Sequence, residues 1–393
     1  MKKIAFFTQW MLCGGVENAL ISLGNKLIMM GHEVTIYSIV KKGEFVEKVP
    51  DEINFFEIPM KEDLRNSIPV GGTKITVRDC MKKREYLKAL EFSIKHKLNK
   101  TPFAELNVNL EEIPQLNRKY DIAVNFHMHS PFLVWYLSQR VEARKKYTWI
   151  HNDFRTTKYE ISALKEYLKC VDQFFAVSQQ LKREFIEAIP EYATKTQVAL
   201  NIVPTDQIIK KGNETYPDEY KKVDCIKILT VGRLEEQKGY DLAIQVCKKL
   251  KDDGFKFKWY VLGEGTLKKC ISNDVKKYGL TDCFFLLGNR MNPYPYFKYC
   301  DIYVQCSRHE GYVTTVTEAK LFNKPIITTD VSGAREQIID KKNGRVVAIK
   351  VESVFEALKE VVNDGKKRSI YTNNLKTKPF KQDLNYIKKY FNS

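Results

Sequence analysis

A short apolar run, a glycine turn and a helical pattern follow one another twice in this chain, and few folds accommodate such a restart. Ile4–Thr8 reads as a buried strand, Gly14-Gly15 as the turn, and Ala19, Leu20, Leu23 and Leu27 as the apolar face of a helix. A second strand, Glu33–Val40, begins just past Gly31-His32, at the spacing of a βαβ unit in a parallel sheet. Far downstream, Ile226–Val231, the turn from Gly232 to Gly239 and the helical run Tyr240–Leu250 repeat the order. Further strands are expected at Ile122–Phe126, Tyr147–Ile150 and Phe174–Val177, then at Phe257–Leu262, Phe284–Leu287, Ile302–Val304 and Pro325–Thr329. The alternation predicts an α/β protein with two doubly wound open sheets.

A chain of 393 residues exceeds what one core usually serves, and its 44% hydrophobic content supports two. The expected division is a first domain over 1–205, a polar, turn-rich interdomain linker over 206–224, a second domain over 225–378, and a closing helix over 379–393. In that last segment Leu384, Ile387 and Phe391 recur at helical spacing, which suits packing back on the first domain. There is no internal repeat with a period of about 20–50 residues and no low-complexity tract.

Composition narrows the classes. No run reaches the ~20 apolar residues of a spanning helix. Met1-Lys2-Lys3 followed by Ile4-Ala5-Phe6-Phe7 imitates a signal peptide, but Thr8 and Gln9 interrupt it, so a buried first strand is expected instead. Nine cysteines without any Cys-x-x-Cys pair point to reduced thiols in the cytosol rather than disulfides or zinc. The net charge of +17 calls for an anionic partner or a solubility explanation. Between Lys61 and Lys100 basic residues, Lys82, Lys83 and Lys88 among them, outnumber acidic ones, and Leu87, Leu90, Ile94 and Leu98 recur at helical spacing. An ordinary solvated helix face, an anionic membrane surface and nucleic acid each fit that segment.

The sharpest chemical constellation is His309-Glu310-Gly311-Tyr312-Val313-Thr314-Thr315-Val316-Thr317-Glu318, between an expected strand and an expected helix. Glu310 in the loop and Glu318 in the helix would reach different parts of one elongated ligand, while backbone N–H groups at the helix N-terminus face an anion. Upstream, Val231-Gly232-Arg233-Leu234-Glu235-Glu236-Gln237-Lys238-Gly239 puts an arginine fork and a lysine point charge on one loop at the carboxyl end of a parallel strand. A diphosphate suits both; taken singly, Arg233 and Lys238 would more often be plain surface charges. His151, just past the strand that ends in Ile150, is either an active-site imidazole or a satisfied structural histidine, and His127 and His129 leave the same two readings open. Gly263-Glu264-Gly265 is an incomplete dinucleotide fingerprint and is assigned a turn.

Together these residues resemble the retaining glycosyltransferases of family 4, the glycosyl transferases group 1, which have the GT-B architecture of two Rossmann-like domains facing each other across a cleft. Three features carry the resemblance: the Glu310 and Glu318 pair with seven residues between, the loop from Gly232 through Lys238-Gly239, and Gly14-Gly15-Val16-Glu17. Leu262-Gly263-Glu264-Gly265, Leu286-Leu287-Gly288 and Lys324-Pro325 fall in the matching order. The resemblance implies that Arg233 and Lys238 neutralise a donor diphosphate, Glu310 binds hydroxyls of the transferred sugar and Glu318 holds the ribose. It further implies that Gly311, Val313 and the amides near Thr314 cap the phosphate, that Gly14 and Gly15 face it, that Asn289 and Arg290 lie against the base, and that His151 reaches the sugar.

By the same resemblance the reaction retains anomeric configuration, and the departing diphosphate helps deprotonate the acceptor. The co-substrate is then a nucleotide-diphosphate sugar, with uridine diphosphate expected first, and no cofactor is implied. No Asp-x-Asp sequence is present, so metal independence is expected. The acceptor would be a saccharide or lipid-linked saccharide of bacterial surface polysaccharide synthesis, met in the cytoplasm at the inner membrane face. A sugar-nucleotide epimerase, which needs no acceptor, and a catalytically silent relative acting as a binding or activating subunit are the rivals. No nucleic-acid motif is recognised.

Overall fold

In this computed structural model residues 1–12, 14–68, 110–154 and 161–392 are described, with 80, 81, 85–87, 89, 90, 93 and 94 from the segment between. The chain divides into two units, Met1–Ile202 with Asp383–Ser393, and Val203–Gln382.

In the first unit the opening apolar run is a central strand, which is why its side chains on both faces are buried. The strands are β1 (Lys3–Thr8), β2 (Glu33–Ser38), β3 (Asn54–Glu57), β4 (Tyr120–Asn125), β5 (Ala143–Ile150), β6 (Gln173–Ala176) and β7 (Thr196–Val198), all parallel, in the order β3-β2-β1-β4-β5-β6-β7. The order reverses between β1 and β4, whose register pairs Phe7 with Asn125. The carboxyl ends Thr8 and Asn125 therefore flank the switch point, the usual seat of a ligand in such sheets. On one face Phe7, Tyr37, Phe132 and Tyr136 form the core.

Across the other face runs the end of the chain. Phe391 is fully buried, stacked on Phe6 at 6.5 Å and edge-on to Tyr147 at 5.7 Å, while the Tyr386 hydroxyl donates to Leu200 O at 3.2 Å. Helical spacing thus serves a tertiary purpose here, although only Asn385–Ile387 is α-helical and Lys388–Asn392 continues as a wider π turn.

The second unit repeats the plan. Its strands β8 (Ile226–Val231), β9 (Phe257–Leu262), β10 (Phe284–Leu286), β11 (Ile302–Gln305), β12 (Ile326–Thr329) and β13 (Arg345–Val347) are parallel, in the order β10-β9-β8-β11-β12-β13. Trp259, Leu250 and Leu358 fill one face and Tyr260, Phe297 and Tyr303 the other. The switch point lies between β8 and β11.

Residues 206–224, read as a linker, differ from that expectation. They carry the helix Thr205–Gly212 and a 3-10 turn at Asp218–Tyr220, both in the second unit. Ile208 is buried, Gly212 lies under the Phe322 ring, and Tyr220 packs against Tyr260 and Tyr296 at 4.8 and 5.5 Å. A two-turn helix with so few anchors leaves no periodicity to read; tertiary packing holds it.

Most of the basic segment, including Lys74, Arg78, Lys82, Lys83, Arg84, Lys88, Lys95, Lys97, Leu98 and Lys100, lies outside the described residues. Leu87, Leu90 and Ile94 are exposed. Among the described residues no helix is long and apolar enough to cross a membrane, and every cysteine is a free thiol.

Candidate functional site

At the switch point of the second unit, the loop after β8 and the loop after β11 are stitched together. Arg308 grips Asp241 through both guanidinium ends at 2.8 and 2.6 Å and donates to Glu236 O at 3.0 Å, and its amide donates to Gln237 O at 2.8 Å. In return the Gln237 carboxamide donates to His309 O at 2.9 Å. The ion pair is partly exposed and contributes about 1 kcal/mol or less by itself. Its effect is positional, because it fixes one loop on the other. Closeness demands glycine at 239: φ is 64°, and a Cβ would stand 2.1 Å from Cys306 O.

On this frame Glu310 and Lys238 meet. The Lys238 ammonium donates to Glu310 Oε1 at 2.5 Å, and both side chains are largely buried. Such a pair is roughly neutral for stability but costly to break on one side. The cation expected on a diphosphate is therefore held by the carboxylate expected on the sugar, because their loops leave adjacent strands. Arg233 is exposed and makes no ion pair among the described residues.

The helix Thr314–Leu321 starts at the same place. With its carboxamide oriented to suit its neighbours, Gln337 accepts from Val313 N at 3.3 Å and donates to Val313 O at 3.1 Å and to Thr317 Oγ1 at 2.9 Å. This corrects the expectation for Val313: its N–H is taken and its side chain lies in the core, so it packs rather than binds. The amides of Thr314 and Thr315 have no partner among the described residues and carry the positive end of the helix. Gly311 is buried beside them. Glu318, on the helix itself, has neither cation nor hydrogen-bond donor among the described residues, and burial pushes its carboxyl up to about 8.

Asn289 is exposed beyond Gly288, but Arg290 is already engaged, donating to Glu219 at 2.6 Å and to the Tyr296 hydroxyl at 3.1 Å. Its guanidinium braces the loop against the segment before β8, a role the sequence did not suggest. Arg308, Asp241 and Gln237 were likewise missed; a stitching residue has no motif of its own.

In the first unit three histidines gather at the ends of β4 and β5. His127 lies 5.2 Å from His129 and 6.4 Å from His151, ring centre to ring centre, and His151 packs on Phe126 at 4.7 Å. Thr8 donates its hydroxyl proton to Trp10 O at 3.2 Å, so its oxygen accepts from His127 Nε2 at 2.9 Å, which places the ring proton on that nitrogen. Burial, then the neighbouring His129, pushes His151 down to about 3; burial also lowers His129 to about 4 and His127 well below its ordinary value. All three imidazoles are therefore neutral at ordinary pH. Both ring nitrogens of His151 are buried and have no partner among the described residues. Gly14 precedes the helix Gly15–Met29 in extended backbone, so turn strain does not explain it; an added Cβ would meet Glu17 Oε2 at 2.4 Å. Among the described residues no group of three or more His, Cys, Asp or Glu side chains is arranged to hold a metal.

Comparisons with known proteins identify the family. Residues 13–207 match the model of Glycosyltransferase Family 4 and residues 213–378 that of Glycosyl transferases group 1. An uncharacterized glycosyltransferase of Methanocaldococcus jannaschii is 27% identical over 61% of this chain and 57% of its own. The N-acetylgalactosamine-N,N'-diacetylbacillosaminyl-diphospho-undecaprenol 4-alpha-N-acetylgalactosaminyltransferase of Campylobacter jejuni is 36% identical over 47% of this chain and 49% of its own. The chain thus spans about half the length of these two relatives. Among solved structures, Anabaena HepE in complex with UDP-glucose superposes with a TM-score of 0.69 at 16% identity, covering 96% of this chain and 94% of that one. WaaG, a glycosyltransferase involved in lipopolysaccharide biosynthesis, gives 0.63 at 14% identity, covering 97% and 96%. Two parallel Rossmann-like sheets, each matched by its own family model and the two models together spanning most of the chain, show that the chain belongs to the family 4, group 1 glycosyltransferases of the GT-B fold.

Proposed function

We propose that this protein is a retaining, metal-independent hexosyltransferase that takes its sugar from a nucleotide-diphosphate donor, with uridine diphosphate as the carrier. The observation that carries the proposal is the Lys238–Glu310 pair at the switch point, beside a helix whose Thr314 and Thr315 amides have no partner among the described residues, with Arg233 on the same loop as Lys238 and Glu318 on that helix. Cations and helix-end amides suit a diphosphate. Glu318 suits a ribose diol, whose two hydroxyls donate to a carboxylate, and Glu310 Oε2 suits a sugar hydroxyl. Asn289 borders the base.

From the first unit the proposal assigns His151, whose neutral ring carries one donor and one acceptor, to the sugar, and the Gly14-Gly15 turn to the phosphate. The bond from the anomeric carbon to the diphosphate oxygen breaks, and the acceptor oxygen bonds to that carbon on the same face. Its proton goes to the departing phosphate. Stabilising that leaving group is the main catalytic task, and removing one donor of charge or hydrogen bonds costs about 10²–10³ in rate.

The acceptor is proposed to be a saccharide or lipid-linked saccharide of bacterial surface polysaccharide synthesis, met in the cytoplasm. Support comes from the Campylobacter relative, whose name places its acceptor on diphospho-undecaprenol, and from a capsular polysaccharide biosynthesis glycosyltransferase of Staphylococcus aureus, 24% identical over 54% of this chain. Segment 61–100 would hold the protein to the anionic inner membrane face, with no part for nucleic acid. Binding to anionic vesicles at low salt, lost when Lys82, Lys83 and Lys88 are neutralised, tests that part; indifference to vesicles refutes it.

Calorimetric titration with uridine, guanosine and adenosine diphosphates in the absence of metal tests the donor site. One nucleotide should bind, and Arg233→Ala and Glu318→Ala should each weaken it. A folded protein that binds none of the three overturns the proposal.

A further inference from the structure

A chain of hydrogen bonds runs along one face of β11 into Glu310. Tyr303, Gln305 and Ser307 alternate along the strand and just beyond it, so their side chains share a face, and all three are buried. The Tyr303 hydroxyl donates to Gln305 Oε1 at 2.6 Å, and the Thr315 hydroxyl donates to the same oxygen at 3.3 Å. That fixes the carboxamide: its nitrogen donates to Ser307 Oγ at 2.6 Å. Because the serine oxygen is occupied as an acceptor, its own proton points onward, to Glu310 Oε1 at 2.6 Å. With Lys238 on the same atom, Oε1 holds two donors, whereas among the described residues Oε2 meets only the Gln237 amide at 3.4 Å. One edge of the carboxylate is clamped from behind and the other is left open.

We infer that Ser307 is the positioning residue that sets the sugar selectivity of this enzyme, aiming Glu310 Oε2 at the hydroxyl pattern of the transferred sugar without touching the donor itself. The inference rests on the proposed donor site. A carboxylate held only by Lys238 could turn, because a flexible ammonium has no preferred plane; a hydroxyl whose proton is already committed imposes one. Epimeric sugars differ in whether a hydroxyl meets a fixed acceptor, so a clamped Oε2 separates them where a turning one accepts both.

The test is a titration of wild-type protein, Ser307→Ala and Ser307→Thr with UDP, UDP-glucose, UDP-galactose, UDP-N-acetylglucosamine and UDP-N-acetylgalactosamine. Losing one charge-assisted hydrogen bond should narrow the ratio between the best and worst sugar nucleotide by about tenfold in Ser307→Ala, with UDP affinity kept within about twofold. Ser307→Thr, which keeps the hydroxyl, should restore the ratio. An unchanged ratio in Ser307→Ala overturns the inference, as does a loss that falls equally on UDP, or a wild-type protein that binds UDP but all four sugars alike. Failure of wild type to bind UDP at all would instead strike the proposed function. Should Ser307→Ala not fold, Gln305→Met carries the test: it removes the donor behind Ser307, and the same narrowing is expected in weaker form, with an unchanged ratio again decisive against the inference.

Discussion

Glu318 should make nucleotide binding depend on pH in a range where most carboxylates are silent. Burial raises it from its ordinary value of 4.5 to about 8, with no cation or donor among the described residues to offset it. At that value about one molecule in ten carries the carboxylate at pH 7, and about three in four at pH 8.5. If ribose hydroxyls donate to the ionised form, affinity for UDP climbs by up to about eightfold over that interval. Partial exposure of the side chain makes this an upper bound. The terminal phosphate of UDP, with a pKa of about 6, is already ionised there and adds little. His151 and His129, held near 3 and 4, do not titrate either. Calorimetry at pH 7, 7.5, 8 and 8.5 on wild type and Glu318→Gln should show a rise in the first and a flat line in the second. A wild-type line as flat as that of Glu318→Gln, or an affinity that falls with pH, refutes the assignment of the carboxylate to the ribose.

The same group has the opposite effect on stability. A carboxyl whose folded value is raised favours the neutral form, so its contribution is present below about 4.5 and lost as pH rises through about 8; the Tm of wild type should fall between pH 7 and 9 more than that of Glu318→Gln. Lys238→Ala should weaken UDP and also cost about 2–3 kcal/mol in urea unfolding, since Glu310 stays buried with one donor fewer, whereas exposed Arg233→Ala should weaken UDP and leave stability unchanged. Gly239→Ala should cost about 2–4 kcal/mol by the same measurement, because the positive φ and the Cys306 carbonyl both exclude a Cβ. Phe391→Ala should cost about 3–5 kcal/mol, read as a large drop in the Tm of the first unit.

What could be read from the residues was whatever repeats with a period or keeps a fixed order. Central strands such as Ile4–Thr8 and Ile226–Val231 are apolar on both faces and stand out. The strands that escaped, Asn54–Glu57, Thr196–Val198 and Arg345–Val347, all lie at sheet edges, where three or four residues are too few to carry a pattern. The helix Thr205–Gly212 escaped because its anchors, such as Phe322, are remote in sequence. At the site, Glu310, Glu318, Arg233 and Lys238 were legible as charges at set intervals on loops after strands. Their pairing was not: nothing in the spacing says that Lys238 rests on Glu310, that Gln337 occupies the Val313 amide, or that Arg290 is held by Glu219. Those contacts depend on which strands become neighbours, and only the folded sheet decides that.

The return of residues 383–392 to the first sheet bears on how the protein is made. A ribosome delivers β1 to β7 early, but Phe6, Tyr147 and Trp149 must wait for Phe391 to cover them, and the whole of Val203–Gln382 is synthesised in between. The second unit is one continuous stretch and can complete its core first, against the usual amino-to-carboxyl order of domain folding. For that interval the nascent first unit shows an aromatic face to solvent. Chaperone engagement, sensitivity to translation rate and the damage done by a late stop codon should therefore all concentrate on the half of the molecule that was translated first.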